Sequence, residues 1–177
     1  MVYYLSEKAV LVKNAGSKPR CDVENILKKS GGIALRFPII IEAQSFMSKV
    51  KKIYYLLFLK RALLKAKNQV VFCQHPYYIS KKYGLQEALL QATENNKLIF
   101  IIHDVEFIRA FETEEKKKHE IEILNSASVI ISHNQFMTEE LKRNGVTNPK
   151  FVNLEIFYNL LDDIPNNTHN YGRSDVY

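Results

Sequence analysis

Cysteine is scarce in this chain of 177 residues: Cys21 and Cys73 are its two, and no CxxC pair occurs. Their spacing excludes a disulfide framework and a zinc ribbon, and predicts two reduced thiols, one on a helix and one at a strand end. Glycine (6) and proline (5) are also few. With 46% hydrophobic and 25% charged residues, the chain falls outside the fibrous and disordered classes. No tract reaches the roughly 18 apolar residues of a bilayer span, and the densest, Ile53 to Leu59, is closely flanked by lysines. The N-terminus, Met1 to Glu7, has neither the basic head nor the long apolar stretch of a secretory signal. These absences predict one soluble, cytoplasmic domain with room for a real core. Phosphate-cradling glycine patterns are missing as well, both GxxxxGK[ST] and GxGxxG. No zinc-finger or RRM signature is present either, which argues against nucleic acid as a partner.

What the chain does have is alternating periodicity. Val2–Leu5 reads as a first strand. Asp22, Val23, Ile26 and Leu27 then repeat at helical spacing up to the stop at Gly31-Gly32. Ile33–Ile41 reads as a second strand interrupted by Pro38, and Ser45–Lys67 as a long amphipathic helix. The continuous runs Gln69–Gln74, Leu98–Ile102 and Ser128–Ser132 suit strands buried on both faces. Helices over Lys81–Glu94, Glu114–Asn125 and Asn134–Asn144 separate and follow them, and Lys150–Leu154 is a further short strand. Strands and helices alternating at these intervals predict an α/β fold with a Rossmann-like, mostly parallel sheet flanked by helices. The polar stretch from Asp162 to Asp175 reads as a linker, so the domain is placed at residues 1–161.

In such sheets ligands bind beyond the carboxyl ends of the strands, and polar residues gather there. Gln74, His75 and Pro76 close one run; His103, Asp104, Glu106 and Arg109 follow the next; His133 and Asn134 follow the third. Three of the five histidines therefore occupy equivalent positions in successive βα units, although each taken alone fits a structural role. His103-Asp104 is the leading pair, since a carboxylate there can take a proton from a substrate hydroxyl; Asp104 also suits the cap of the following helix. A metal site from His75, His103, Asp104 and His133 lacks ligand spacing, and no metal or other cofactor is assigned. The loop Asn14-Ala15-Gly16-Ser17-Lys18-Pro19-Arg20 either receives an anionic or hydroxylated ligand at a helix N-terminus or is a plain turn.

The formal charge of +6 invites a polyanion. It is densest on the Ser45–Lys67 helix, where Lys49, Lys51, Lys52, Lys60, Arg61 and Lys65 surround an aromatic and aliphatic run. That pattern fits either an anionic membrane surface or a core helix with a solvated basic face.

Four ordered blocks, Asn14–Leu27, Ile101–Arg109, Glu120–Val146 and Leu154–Leu161, resemble the bacterial β-1,6-galactofuranosyltransferases and the related glucosyltransferase-3-like enzymes. The resemblance covers about Met1 to Leu161. It implies the N-terminal half of a GT-B fold, in which this domain binds the acceptor and a C-terminal domain, absent here, holds a UDP-sugar. It also implies metal-independent, inverting transfer of a hexosyl group to a glycan or lipid-linked acceptor at the inner membrane face. By the same resemblance Asp104 and His103 are catalytic, and Asn14, Gly16, Ser17, Lys18, His75, Glu106, Arg109, His133 and Asn134 line the acceptor side. Pro19, Cys21 and Tyr158-Asn159 depart from the pattern. The other function class open to this sequence is a non-catalytic α/β module that binds a glycan or a partner. An exposed cleft wall in an isolated half-enzyme would also favour self-association.

Overall fold

Six apolar segments become the strands of one sheet in the computed structural model, which describes residues 1–8, 17–38, 46–76, 90–109 and 113–155. They are β1 (Val2–Lys8), β2 (Ile33–Pro38), β3 (Val70–His75), β4 (Lys97–Ile102), β5 (Val129–Ser132) and β6 (Lys150–Asn153). The sheet order is β2-β1-β3-β4-β5-β6 and every neighbouring pair is parallel. The fold class expected from the sequence is thus the one found. Winding runs outward from β1 to β2, then reverses across β1 to β3, which makes the carboxyl ends of β1 and β3 the topological switch point, where ligands of such sheets bind.

Helices connect these strands: α1 (Ser17–Lys29), α2 (Phe46–Lys65), a short α3 (Glu106–Arg109), α4 (Glu114–Asn125) and α5 (Gln135–Arg143). Residues 90–93 are helical as well. The central strands are apolar on both faces, as parallel strands between helical layers must be. Phe100, Ile102 and Ile130 from the sheet pack with Leu59 and Leu63 of α2, Leu124 of α4 and Leu141 of α5, all fully buried.

Glycine stops two of the helices by the same geometry. Gly31 has φ +81° and Gly145 φ +100°, left-handed values that cost glycine nothing. After α1, Gly32 N–H donates to the Leu27 carbonyl and Gly31 N–H to that of Lys28; after α5, Val146 N–H donates to Leu141 and Gly145 N–H to Lys142. Both are Schellman closures, and in the second the expected apolar contact joins two fully buried residues, Leu141 and Val146.

Several boundaries differ from the sequence reading. β1 continues past Leu5 to Lys8, paired with Arg36–Pro38 of β2, and within that extension the Ser6 hydroxyl donates to Glu24 of α1 at 2.7 Å. β2 ends at Pro38, opposite Lys8. A proline is tolerated there because β2 is an edge strand. Cys21 lies on α1 as expected, whereas Cys73 sits within β3, fully buried, not at its end. The short α3 has too few residues to show a period. The expected strand residues 39–41, most of the helix over residues 81–94, and the linker after residue 161 lie outside the described residues.

Candidate functional site

β3, β4 and β5 each end in a polar residue or run of residues, so the sheet sets three such termini side by side along its carboxyl edge. The parallel register puts His75 opposite Ile102, and His103 N–H donates to the His75 carbonyl at 2.8 Å. His103 and His133 therefore stand in neighbouring βα units with ring centroids 6.4 Å apart and planes nearly perpendicular.

One chain of hydrogen bonds fixes His103. The Gln74 amide nitrogen donates to the Arg20 carbonyl at 3.2 Å, so its oxygen faces His103 Nε2 at 2.7 Å. A carbonyl oxygen accepts only, hence Nε2 carries the proton and Nδ1 the lone pair in the neutral ring. Burial, followed by the nearby Arg20 guanidinium, lowers the His103 pKa from 6.5 to about 3. His133 is also lowered, chiefly by burial; the hydrogen bond its ring donates to the Ile102 carbonyl and the Asp104 carboxylate oppose that shift. Both rings are therefore neutral near pH 7.

His75 has a different role. Its side chain is buried, and Nε2 lies 2.6 Å from Glu120 Oε1 in α4. The other carboxylate oxygen of Glu120 accepts from the Phe107 N–H at 3.2 Å, in the first turn of α3. One buried carboxylate thus ties the end of β3 to the short helix that follows His103-Asp104. Arg20 Nη2 donates to the Pro76 carbonyl, just past the cis His75–Pro76 bond, which draws α1 against the same edge.

The remaining expected residues fall as follows. Asp104 Oδ1 accepts from Val105 N–H at 2.9 Å, a local turn contact at the end of β4. Ser17 opens α1, and Lys18 pairs with Asp22 at 3.3 Å. Glu106 and Arg109 bound α3. Asn134 caps α5, its Oδ1 accepting from Met137 N–H at 2.9 Å, so its side chain serves the helix. Asn14 and Gly16 lie outside the described residues. Below Asn134, the Ser132 and Thr138 hydroxyls both reach Asn153 Oδ1, at 2.9 and 2.7 Å. This buried knot joins β5, α5 and β6 and holds the Ser132-His133-Asn134 corner.

The sequence places Gln74 at a strand end and Arg20 in the loop before α1, but it does not single out Glu120. Glu120 did leave a signal: it lies three and four residues before the buried Ile123 and Leu124, a carboxylate on an inward stripe. Among the described residues no three His, Cys, Asp or Glu side chains are grouped to hold a metal ion. A polar depression of about 470 Å³ lies at the opposite, amino-terminal edge, between Asn68 and Lys97. Asn96 seals it structurally by bonding to Gln69, Ala66 and Ala92.

A doubly wound parallel sheet flanked by helices, with a polar, histidine-bearing rim beside its switch point, defines a Rossmann-like α/β domain. The family model for the glucosyltransferase 3-like N-terminal domain matches residues 3–156, and the chain belongs to that family. This is the relationship that the ordered blocks of the sequence imply, and it gives the protein a glycosyltransferase-related role. None of the curated proteins compared with the chain matches it.

Proposed function

We propose that this domain is the acceptor-binding side of an inverting glycosyltransferase, which moves a hexosyl group, galactofuranosyl or glucosyl, from a UDP-sugar to a glycan or lipid-linked acceptor. The observation that carries the reading is the convergence of Asp104, His103 and His133 on the carboxyl edge, in a chain of this family.

In this reading the acceptor hydroxyl loses its proton to the Asp104 carboxylate as its oxygen attacks the anomeric carbon from the face opposite UDP. A carbon–oxygen bond forms to the acceptor, and the bond from the anomeric carbon to the diphosphate breaks, its electron pair leaving with UDP. Direct in-line displacement inverts the anomeric centre. His103, held neutral with its proton on Nε2, serves in this reading to orient the groups around Asp104. Lys18 and Arg20 give the α1 side of the switch point a positive field suited to anionic groups.

The test is a transfer assay on the product of the whole reading frame that contains this chain. Radiolabelled UDP-hexoses are offered with a panel of glycan and polyprenyl-linked acceptors. Asp104→Asn, which keeps the shape but removes the base, is expected to lower transfer by about 100-fold or more. Turnover near the parent level in that variant would remove Asp104 as the base. Acceptor binding without transfer for any donor would leave a binding module in place of an enzyme.

A further inference from the structure

The outward face of α2 carries an apolar stripe that the fold leaves in solvent. Among its described side chains, Leu59 and Leu63 are buried in the core. On the outside, Met47, Tyr54, Leu57 and Phe58 are each at least 60% exposed, joined by Val50, Ile53 and Leu64. Their positions recur every three to four residues, so they form one continuous face along the helix. Half of the exposed large hydrophobic residues in the described part of the protein lie on this single element. Isolated exposed leucines need no explanation, but a contiguous patch does.

Charge identifies the occupant. α2 holds Lys49, Lys51, Lys52, Lys60, Arg61 and Lys65 and no acidic residue. Those six cations equal the formal net charge of the entire chain, +6, so the rest of the sequence is balanced. Arg61 is exposed between Leu57-Phe58 and Leu64, and Lys65 closes the stripe. An apolar face studded with cations matches a surface that offers both anionic groups and hydrocarbon. A second copy of α2 offers hydrocarbon but no anionic group, and it would bring two sets of six cations together without a carboxylate. The helix does not cross a membrane; no described helix is long and apolar enough to do so.

We infer that α2 docks the protein onto an anionic lipid bilayer. Tyr54, Leu57 and Phe58 sink to the headgroup–acyl boundary, while Arg61 and Lys65 keep their charges among the lipid phosphates and lay their alkyl stems along the apolar surface. The 20-residue helix lies along the membrane for about 30 Å. Its amino end follows β2, which places that end at the same carboxyl edge of the sheet as His103 and Asp104. The surface assignment itself does not depend on the glycosyltransferase reading.

The test is sedimentation of the purified chain with vesicles of phosphatidylglycerol and phosphatidylcholine, against phosphatidylcholine alone, in low and high salt. Expected are binding to the anionic vesicles, reversal by salt, and at least about a tenfold drop in partition for Arg61→Glu with Lys65→Glu. Leu57→Ser with Phe58→Ser should also lower partition, even at low salt, because it removes the inserted surface. All four positions are exposed, and circular dichroism checks that the variants stay folded. Equal binding to neutral vesicles would overturn the anionic-lipid assignment, as would heparin retention without vesicle binding. A dimer that the Leu57→Ser, Phe58→Ser variant dissociates, with no lipid binding, would assign the face to a second copy.

Discussion

At the scale of single residues the most informative side chain is Gln74, because its amide has no freedom to turn over. Its nitrogen must donate to the Arg20 carbonyl, so its oxygen dictates which nitrogen of His103 holds the proton. Proton–nitrogen correlation spectra of the imidazoles are expected to show His103 as the Nε2–H tautomer at neutral pH. Gln74→Glu puts a carboxylate against the same nitrogen, favours the imidazolium, and should move the His103 midpoint upward; an unchanged midpoint would break the link. The depressed pKa of His103 also has a sign in stability. Its folded value is about 3 against an ordinary 6.5, so between those limits the unfolded chain binds a proton that the folded chain refuses. Stability contributed by the neutral ring is complete above about 6.5 and is lost as pH falls toward 3. His133 shifts the same way. Urea midpoints measured from pH 7 down to pH 4 should therefore fall less steeply for His103→Gln than for the parent.

At the scale of elements, the site is held by contacts that cross between them. Glu120→Ala removes from a buried position the acceptor shared by His75 and Phe107 N–H. It is expected to cost about 2–3 kcal/mol and to loosen α3 together with the end of β3. Equilibrium denaturation measures the first effect, and amide exchange at Phe107 the second. Asn134→Ala removes one cap from an exposed helix start and should cost only about 1 kcal/mol. A much larger loss would mean that Asn134 also supports the rim directly. Most elements were legible because their signals are local. Apolar runs of parallel strands, glycine stops at Gly31 and Gly145, and an asparagine before Gln135 each act within a few residues. The boundaries that shifted were set by tertiary partners: the pairing with β2 for the end of β1, and the edge position of β2 for Pro38.

For the whole molecule, the α/β class and the edge at which these polar residues gather could be read from spacing, since polar residues at successive strand ends are a sequence pattern. The connections behind that edge could not. His75 looked equivalent to His103 and His133 along the chain, yet the fold turns it to a buried carboxylate 45 residues away. Gln74 sits inside an apolar strand run, and its partner is a backbone carbonyl on a helix 54 residues earlier. Neither pairing has a spacing rule. The exposed stripe on α2 was partly visible as a basic helix rich in aromatics. Which side of that helix the core takes was decided by Leu59 and Leu63, a choice made by packing.

The sheet order carries a consequence for how the protein is made. Val2 pairs with Val70 on one side and Tyr3 with Ile33 on the other, so the first strand of this sheet in chain order is an interior one. No tight hairpin is available to any strand of this sheet, because all of its pairs are parallel. As the chain leaves the ribosome, β1 has one neighbour once β2 emerges, and its second edge stays open until β3 follows. Folding that depends on such distant pairings is slow relative to helical domains. During that interval Tyr4 and Leu5, buried in the finished protein, are exposed to solvent and to other nascent chains.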